Sequence, residues 1–131
     1  MKKRSEDDLQ IACMSYMRLV HTDLLAFHVP NGGNRSAREG AKFKRMGVLS
    51  GVPDILIMQP SGEYNGLAIE LKIGKNKPSD NQIEVMNKLM ACGWYVTIVR
   101  DLDHFMKLVD DYQESIFYNR PFKPIENDGG V

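Results

Sequence analysis

The sequence predicts a mixed α/β fold: a central four-stranded sheet, partly antiparallel and partly parallel, flanked by helices. Two observations carry that prediction. Periodic segments run in the order helix, strand, helix, strand, strand, helix, strand, helix. The two middle strand runs are separated by only a short polar loop, whereas the last strand arrives after a whole helix. A short loop permits an antiparallel hairpin, and a helical crossover is what a parallel neighbour requires.

Taken in order, Ser5 with Asp8 three residues on has the pattern of a capping box. Leu9, Ala12, Cys13, Tyr16, Met17 and Val20 then form one apolar stripe at helical spacing. The run LLAFHV at 24–29 is short and apolar and stops at Pro30, as a strand does, and PNGGN follows as a turn. Ser36 with Glu39 opens a second, basic helix that Gly47 would end. DILIM at 54–58 and LAIELK at 67–72 are strand runs around a loop containing Pro60, Gly62 and Asn65-Gly66. Ser79 with Gln82 caps a third helix carrying Ile83, Met86, Leu89 and Met90 and ending at Gly93. WYVTIV at 94–99 has the continuous apolar character of a buried strand, and 102–112 reads as a last helix with Leu102, Phe105, Met106 and Val109 inward. The expectation is one domain over 1–114 and a tail over 115–131, irregular or contacting a second copy.

At 131 residues, 43% apolar and 26% charged, the chain has the length and composition of one ordinary globular domain. No apolar run reaches membrane-spanning length, and MKKRSEDDLQ lacks a signal-peptide hydrophobic region, so a cytoplasmic setting without membrane contact is expected. Cys13 and Cys92 have no CxxC or Cys/His spacing and read as small core residues under reducing conditions. The glycine pairs lack the Walker spacing, and no Ser or Cys has a His/Asp context that would make it a nucleophile. Net charge is zero but unevenly spread: residues 1–77 carry 12 Lys/Arg against 8 Asp/Glu, and residues 78–131 carry 5 against 9. A basic half suits a polyanion, although a solvated face has the same composition.

Chemistry concentrates at Asp54, Glu70 and Lys72. Residues two apart on a strand share a face, so Glu70 and Lys72 project together. If 54–58 and 67–72 pair as a hairpin, Asp54 returns beside them. Two close carboxylates repel unless a cation lies between them, and Mg²⁺ (or Mn²⁺) is a hard ion suited to such oxygen ligands. An adjacent ammonium can orient water and offset charge developing on phosphorus. The competing reading is a surface ion pair between Glu70 and Lys72, with Asp54 a turn residue after Pro53.

Gly51-x-Pro53-Asp54 followed by Glu70-x-Lys72 resembles the PD-(D/E)xK nuclease superfamily, and more narrowly the VRR-NUC family of virus-type replication and repair nuclease domains. Glu6 with Gln10, HVPNGG at 28–33, SDNQ at 79–82 and WYVTIVR agree in order, so the resemblance covers about residues 5–110. It implies a restriction-endonuclease-like core and a metal-dependent DNA endonuclease. Asp54, Glu70, the Leu71 carbonyl and Glu6 (directly or through water) would be its metal ligands, and Lys72 would position or activate water. Gln82 would support Lys72 or the phosphate, or serve only as the helix cap its spacing explains. His28 falls in a matching segment, where it packs in its strand or supports the site, and His21 and His104 carry no signal.

The segment 31–47 holds five Lys/Arg against one Glu. Asn31, Arg35, Arg38, Lys42, Lys44 and Arg45, with Lys75 and Lys77, either grip DNA phosphates without sequence preference or form a solvated basic face. Small stand-alone members of the family suggest homodimers acting in DNA repair and recombination, in a prokaryotic or phage-infected cell, on branched DNA such as the four-way Holliday junction. The alternatives are nicking, flap or restriction-like duplex cleavage, or a DNA-binding module without catalysis.

Overall fold

The computed structural model describes residues 5–30 and 36–124. Its elements are α1 (Glu6–Val20), β1 (Ala26–His28), α2 (Ala37–Arg45), β2 (Ile55–Ile57), β3 (Leu67–Leu71), α3 (Asp80–Ala91), β4 (Tyr95–Val99) and α4 (Leu102–Phe117). The strands form one sheet in the order β1-β2-β3-β4. The first two pairings are antiparallel, and β3 with β4 is parallel. This is the mixed α/β sheet that the short loop and the helical crossover predicted.

Local chemistry explains the helix ends. Ser5 and Asp8 form a complete capping box on α1, as Ser79 and Gln82 do on α3. Ser36 accepts from the Glu39 N–H at the start of α2, and Asp101 from the His104 N–H at the start of α4. Gly47 and Gly93 take positive φ (99° and 86°) just beyond α2 and α3, where a side chain would be strained.

Each face of the sheet buries its own layer. Ile55, Ile57, Leu67, Ile69 and Leu71 pack with Leu9, Cys13 and Met17 of α1 and with Phe105, Leu108 and Val109 of α4. On the opposite face Leu56, Ala68 and Val96 meet Met86 and Leu89 of α3. Alternation along β2 and β3 sends odd residues into the first layer and even residues into the second. Asp54, Glu70 and Lys72 therefore belong to the α3 side. The first layer is tied further by His21, which contacts Asp110 at 2.7 Å and Gln113, while Tyr16 donates to Asp110 at 2.5 Å.

Several sequence expectations need correction. The buried face of α1 comprises Leu9, Cys13, Met14 and Met17, while Val20 is 53% exposed. That face is turned toward Met14 because α1 packs between the sheet and α4. On α3 the buried residues are Val85 and Met86, with Ile83 and Met90 exposed, since this helix covers only one small apolar patch. On α4, Leu108, Tyr112 and Ser115 are buried with Phe105 and Val109. Cys92 is an exposed C-cap residue, not core.

The presumed tail is structured well past Ser115. Helix α4 continues to Phe117, and Phe122 is only 5% exposed, enclosed edge-to-face by Tyr64, Tyr95 and Tyr112. Phe122 is thus unavailable to a second copy, whereas Phe117 and Tyr118 are exposed. The 59–66 loop docks on the same cluster: Tyr112 donates to the Gln59 carbonyl at 2.5 Å, and Ser61 meets Ser115.

Candidate active site

Hairpin register brings the carboxylates together. Ile55 lies opposite Ile69, so one step outward Asp54 lies opposite Glu70. The Asp54 backbone carbonyl bonds in the other direction, accepting from the Val29 N–H at 2.9 Å. Asp54 and Glu70 are consequently a non-hydrogen-bonded cross-strand pair, the arrangement with the closest side chains. His28 also approaches the Asp54 carbonyl, at 2.7 Å, so the strand histidine supports the backbone of this residue. Asp54 Oδ2 accepts from the Leu71 N–H at 2.7 Å, which fixes the carboxylate against the end of β3.

Glu70 is the unusual group. It is 2% exposed, in the floor between β3 and α3. Burial, and then the Asp54 carboxylate beside it, push its pKa up to about 9; Lys72 opposes the rise and Glu6 adds to it. Its Oε1 accepts from Gln82 Nε2 at 3.0 Å; among the described residues its buried Oε2 has no donor, and the Asp54 side chain lies within hydrogen-bonding reach of this carboxyl.

Gln82 is the helix cap that its spacing explains, and its side chain also reaches the carboxylate pair, at a partner other than the Lys72 or phosphate that the resemblance implied. Its Oε1 accepts from the Ser79 N–H at 2.9 Å, completing the helix cap, and this orientation turns Nε2 toward Glu70. The amide meets Glu70, not Lys72. Gly51 makes the approach possible. It has φ +91°, and a Cβ there would lie 2.8 Å from the Asn81 carbonyl oxygen at the start of α3. Ser50 accepts from Asn81 Nδ2 at 2.6 Å in the same contact. The Gly51-x-Pro53-Asp54 segment is therefore pressed against the helix that carries Gln82.

The cluster fits a hard divalent cation: one Glu70 oxygen has no donor among the described residues, and two carboxyl groups are held close in a buried place. The hairpin register, continued, sets Pro53 opposite Leu71. Proline has no N–H, so the Leu71 carbonyl lacks the cross-strand donor that an antiparallel ladder would bring. Among the described residues no three His, Cys, Asp or Glu side chains form a closed metal-binding group. Glu6, at the first turn of α1, acts on Glu70 through its charge but stands back from the pair. An open site completed by water and phosphate is the arrangement typical of Mg²⁺.

Arg38, Lys42, Lys44 and Arg45 are all exposed on α2, a helix with no buried residue, and Lys75 and Lys77 are exposed beyond β3. None of these six forms a salt bridge among the described residues; the Lys and Arg pairs there involve Lys88, Lys107 and Arg120. Asn31 and Arg35 lie outside the described residues. Arg100 has a function that sequence reading missed: its Nη1 donates to the Gly74 and Asn76 carbonyls at 2.9 and 2.8 Å, shaping the loop that bears Lys75 and Lys77. An Arg ending the strand parallel to β3 was the available signal.

A family model described as the VRR-NUC domain matches residues 4–101. A solved structure described as a VRR_NUC domain protein is similar at 27% identity and a TM-score of 0.76, covering 97% of this chain and 99% of that one. A search of curated proteins returns no match. No helix among the described residues is long and apolar enough to cross a membrane.

Proposed function

We propose a function from one premise: the chain belongs to the VRR-NUC domain family, and is thereby a nuclease of the PD-(D/E)xK type, a hydrolase whose substrate is DNA. The finer reading is a metal-dependent endonuclease selective for branched DNA, acting on four-way junctions as a homodimer. The observation that supports the metal dependence is Glu70: a buried carboxyl beside a second carboxylate, with one oxygen lacking a donor among the described residues.

In this reading Asp54, Glu70 and the Leu71 carbonyl hold Mg²⁺ or Mn²⁺, with Glu6 acting through water. When bound, the cation supplies Lewis-acid polarisation of the phosphodiester and favours hydroxide as nucleophile. Lys72, two residues from Glu70 on the same strand face, orients the attacking water and offsets charge on the phosphate. Gln82 and the Leu71 N–H fix the two carboxylates so that their geometry is set before substrate arrives. Arg38, Lys42, Lys44, Arg45, Lys75 and Lys77 contact backbone phosphates, aided by Asn31 and Arg35. A two-fold dimer suits a junction because it presents two sites to two strands in one encounter. Exposed Phe117 and Tyr118 are candidates for its interface.

The test compares a mobile four-way junction, a flap and linear duplex at matched salt, using wild type and Asp54→Ala with Mg²⁺, with Mn²⁺ and with chelator. Junction cleavage that needs metal and Asp54, with junction binding intact in the variant, is the expected result. Preferred cutting of flap or duplex would replace the junction assignment, and binding without cleavage by wild type would make the chain a non-catalytic module. Undiminished cleavage by both Asp54→Ala and Lys72→Ala would remove the site assignment.

A further inference from the structure

Helix α2 buries no residue and takes part in none of the principal packings among the described helices and strands. Arg38, Lys42 and Arg45 recur at i, i+4 and i+7, so three cations share one of its faces, with Lys44 beside them. None of the four forms a salt bridge among the described residues. A short helix with so little tertiary support depends on its ends. Ser36 caps its start, and a Schellman motif closes it. The Gly47 N–H donates to the Lys44 carbonyl at 3.1 Å and the Val48 N–H to the Phe43 carbonyl at 2.9 Å.

Around that closure the chain presents an apolar tip. Met46, Val48 and Leu49 are 68%, 42% and 57% exposed, three apolar side chains within four residues, next to the cations of α2. Single exposed apolar residues are ordinary, whereas a contiguous group rimmed by polar residues marks a contact surface. The tip is also anchored to the active site. Ser50 accepts from Asn81 Nδ2 at 2.6 Å, and Gly51 is buried against the Asn81 backbone at the start of α3. Asp54 follows Leu49 by so few residues that the intervening chain spans at most roughly 18 Å, or about five base steps along a DNA strand.

We propose that Met46, Val48 and Leu49 form a wedge that packs against a base uncovered at a DNA branch point, and so selects branched substrates for the Asp54–Glu70–Lys72 site. The inference rests on the reading of DNA as the substrate of that site. Continuous duplex presents phosphates, sugars and groove edges, and stacking covers the faces of its bases, so an exposed apolar side chain gains little there. Where stacking is interrupted a base face is open to water, and apolar side chains placed against it replace the lost neighbour. The unpaired cations of α2 suit the phosphates on either side of such a base. They also disfavour a second copy as the occupant, because a two-fold contact between identical tips would bring two basic helices together.

The experiment uses the full chain in chelator, where binding is read without cleavage. Its probes are a four-way junction carrying 2-aminopurine at the branch and a linear duplex carrying it internally. Wild type is expected to raise the fluorescence of the junction probe, as unstacking of that base does, and not that of the duplex probe. The Met46→Ser, Leu49→Ser double variant is expected to lose the rise and to lower the junction-to-duplex affinity ratio on the order of 10-fold, the worth of one base stack. Leu49→Phe keeps an apolar face and should retain both properties, whereas Lys42→Ala should weaken junction and duplex alike. These side chains are exposed, so each variant should melt within about 2 °C of wild type. An unchanged ratio in the serine variant, or equal losses on the two DNAs, would overturn the wedge. Dissociation of a wild-type dimer by the serine changes, seen in sedimentation, would reassign the tip to contact between copies. Wild type that unstacks the junction probe but cuts no DNA with Mg²⁺ or Mn²⁺ would sink the nuclease reading and leave the wedge standing.

Discussion

Glu70→Gln tests the central feature of the site by an unusual route, since removing the most buried acid should stabilise the metal-free protein. Burial and the Asp54 carboxylate raise the Glu70 pKa from an ordinary 4.5 to about 9. The sign follows from proton counting. Between these values the folded state keeps a proton that the unfolded chain has lost, so the contribution of Glu70 to stability is full below pH 4.5 and declines as pH rises toward 9. At pH 7 the deficit is about 3 kcal/mol, from roughly 1.4 kcal/mol per pH unit over the interval above 4.5. Glutamine does not titrate. Its carbonyl can still accept from Gln82, and its amide offers a donor to Asp54. In chelator the variant should therefore match wild type near pH 4.5 and melt on the order of 10 °C higher at pH 7. Added Mg²⁺ should reverse the ranking, because ligand binding stabilises only the chain that binds it. Thermal melts at pH 5, 7 and 8, with chelator and with Mg²⁺, read both effects. A wild-type melting temperature flat across that range in chelator, or a variant less stable than wild type at pH 8, would refute the reasoning.

Other substitutions separate scaffold from site. Gly51→Ala combines a positive φ with a Cβ 2.8 Å from backbone at the start of α3, and should cost roughly 2–4 kcal/mol in urea unfolding, with cleavage reduced further as Asp54 and Gln82 move apart. Arg100→Ala should free the Lys75–Lys77 loop: DNA KM rises several-fold while kcat changes little, and the salt dependence of binding becomes shallower by about one phosphate contact. An unchanged salt slope would place that loop away from DNA. Phe122→Ala should cost roughly 3–5 kcal/mol, since it empties the space enclosed by Tyr64, Tyr95 and Tyr112. A variant melting like wild type would restore the reading of this segment as a dispensable tail.

Much of the fold was legible because its signals are local. The Ser5, Ser36 and Ser79 caps, the stops at Gly47 and Gly93, and the contrast between a short loop and a helical crossover appear in the chain order itself. The faces of α1 and α3 were read less well. Periodicity marks an apolar stripe, but neighbouring elements decide which edge of it is covered, and Met14 and Val85 replaced Val20 and Ile83. Phe122 escaped for a related reason: a single aromatic in an aperiodic segment has no pattern, and its burial depends on Tyr64 and Tyr95, remote along the chain, as well as on Tyr112.

The amino-acid sequence by itself determined the element order, the hairpin that pairs Asp54 with Glu70, and the placement of Lys72 on the same face, because strand alternation and a short connection suffice for those. Tertiary structure alone decided what makes these residues a distinctive site. It buried Glu70 beneath α3, turned the capping amide of Gln82 onto it, and pressed Gly51 against the helix that carries Gln82. Each of those features depends on the distance between residues remote along the chain, and on the water excluded between them, which no local period encodes.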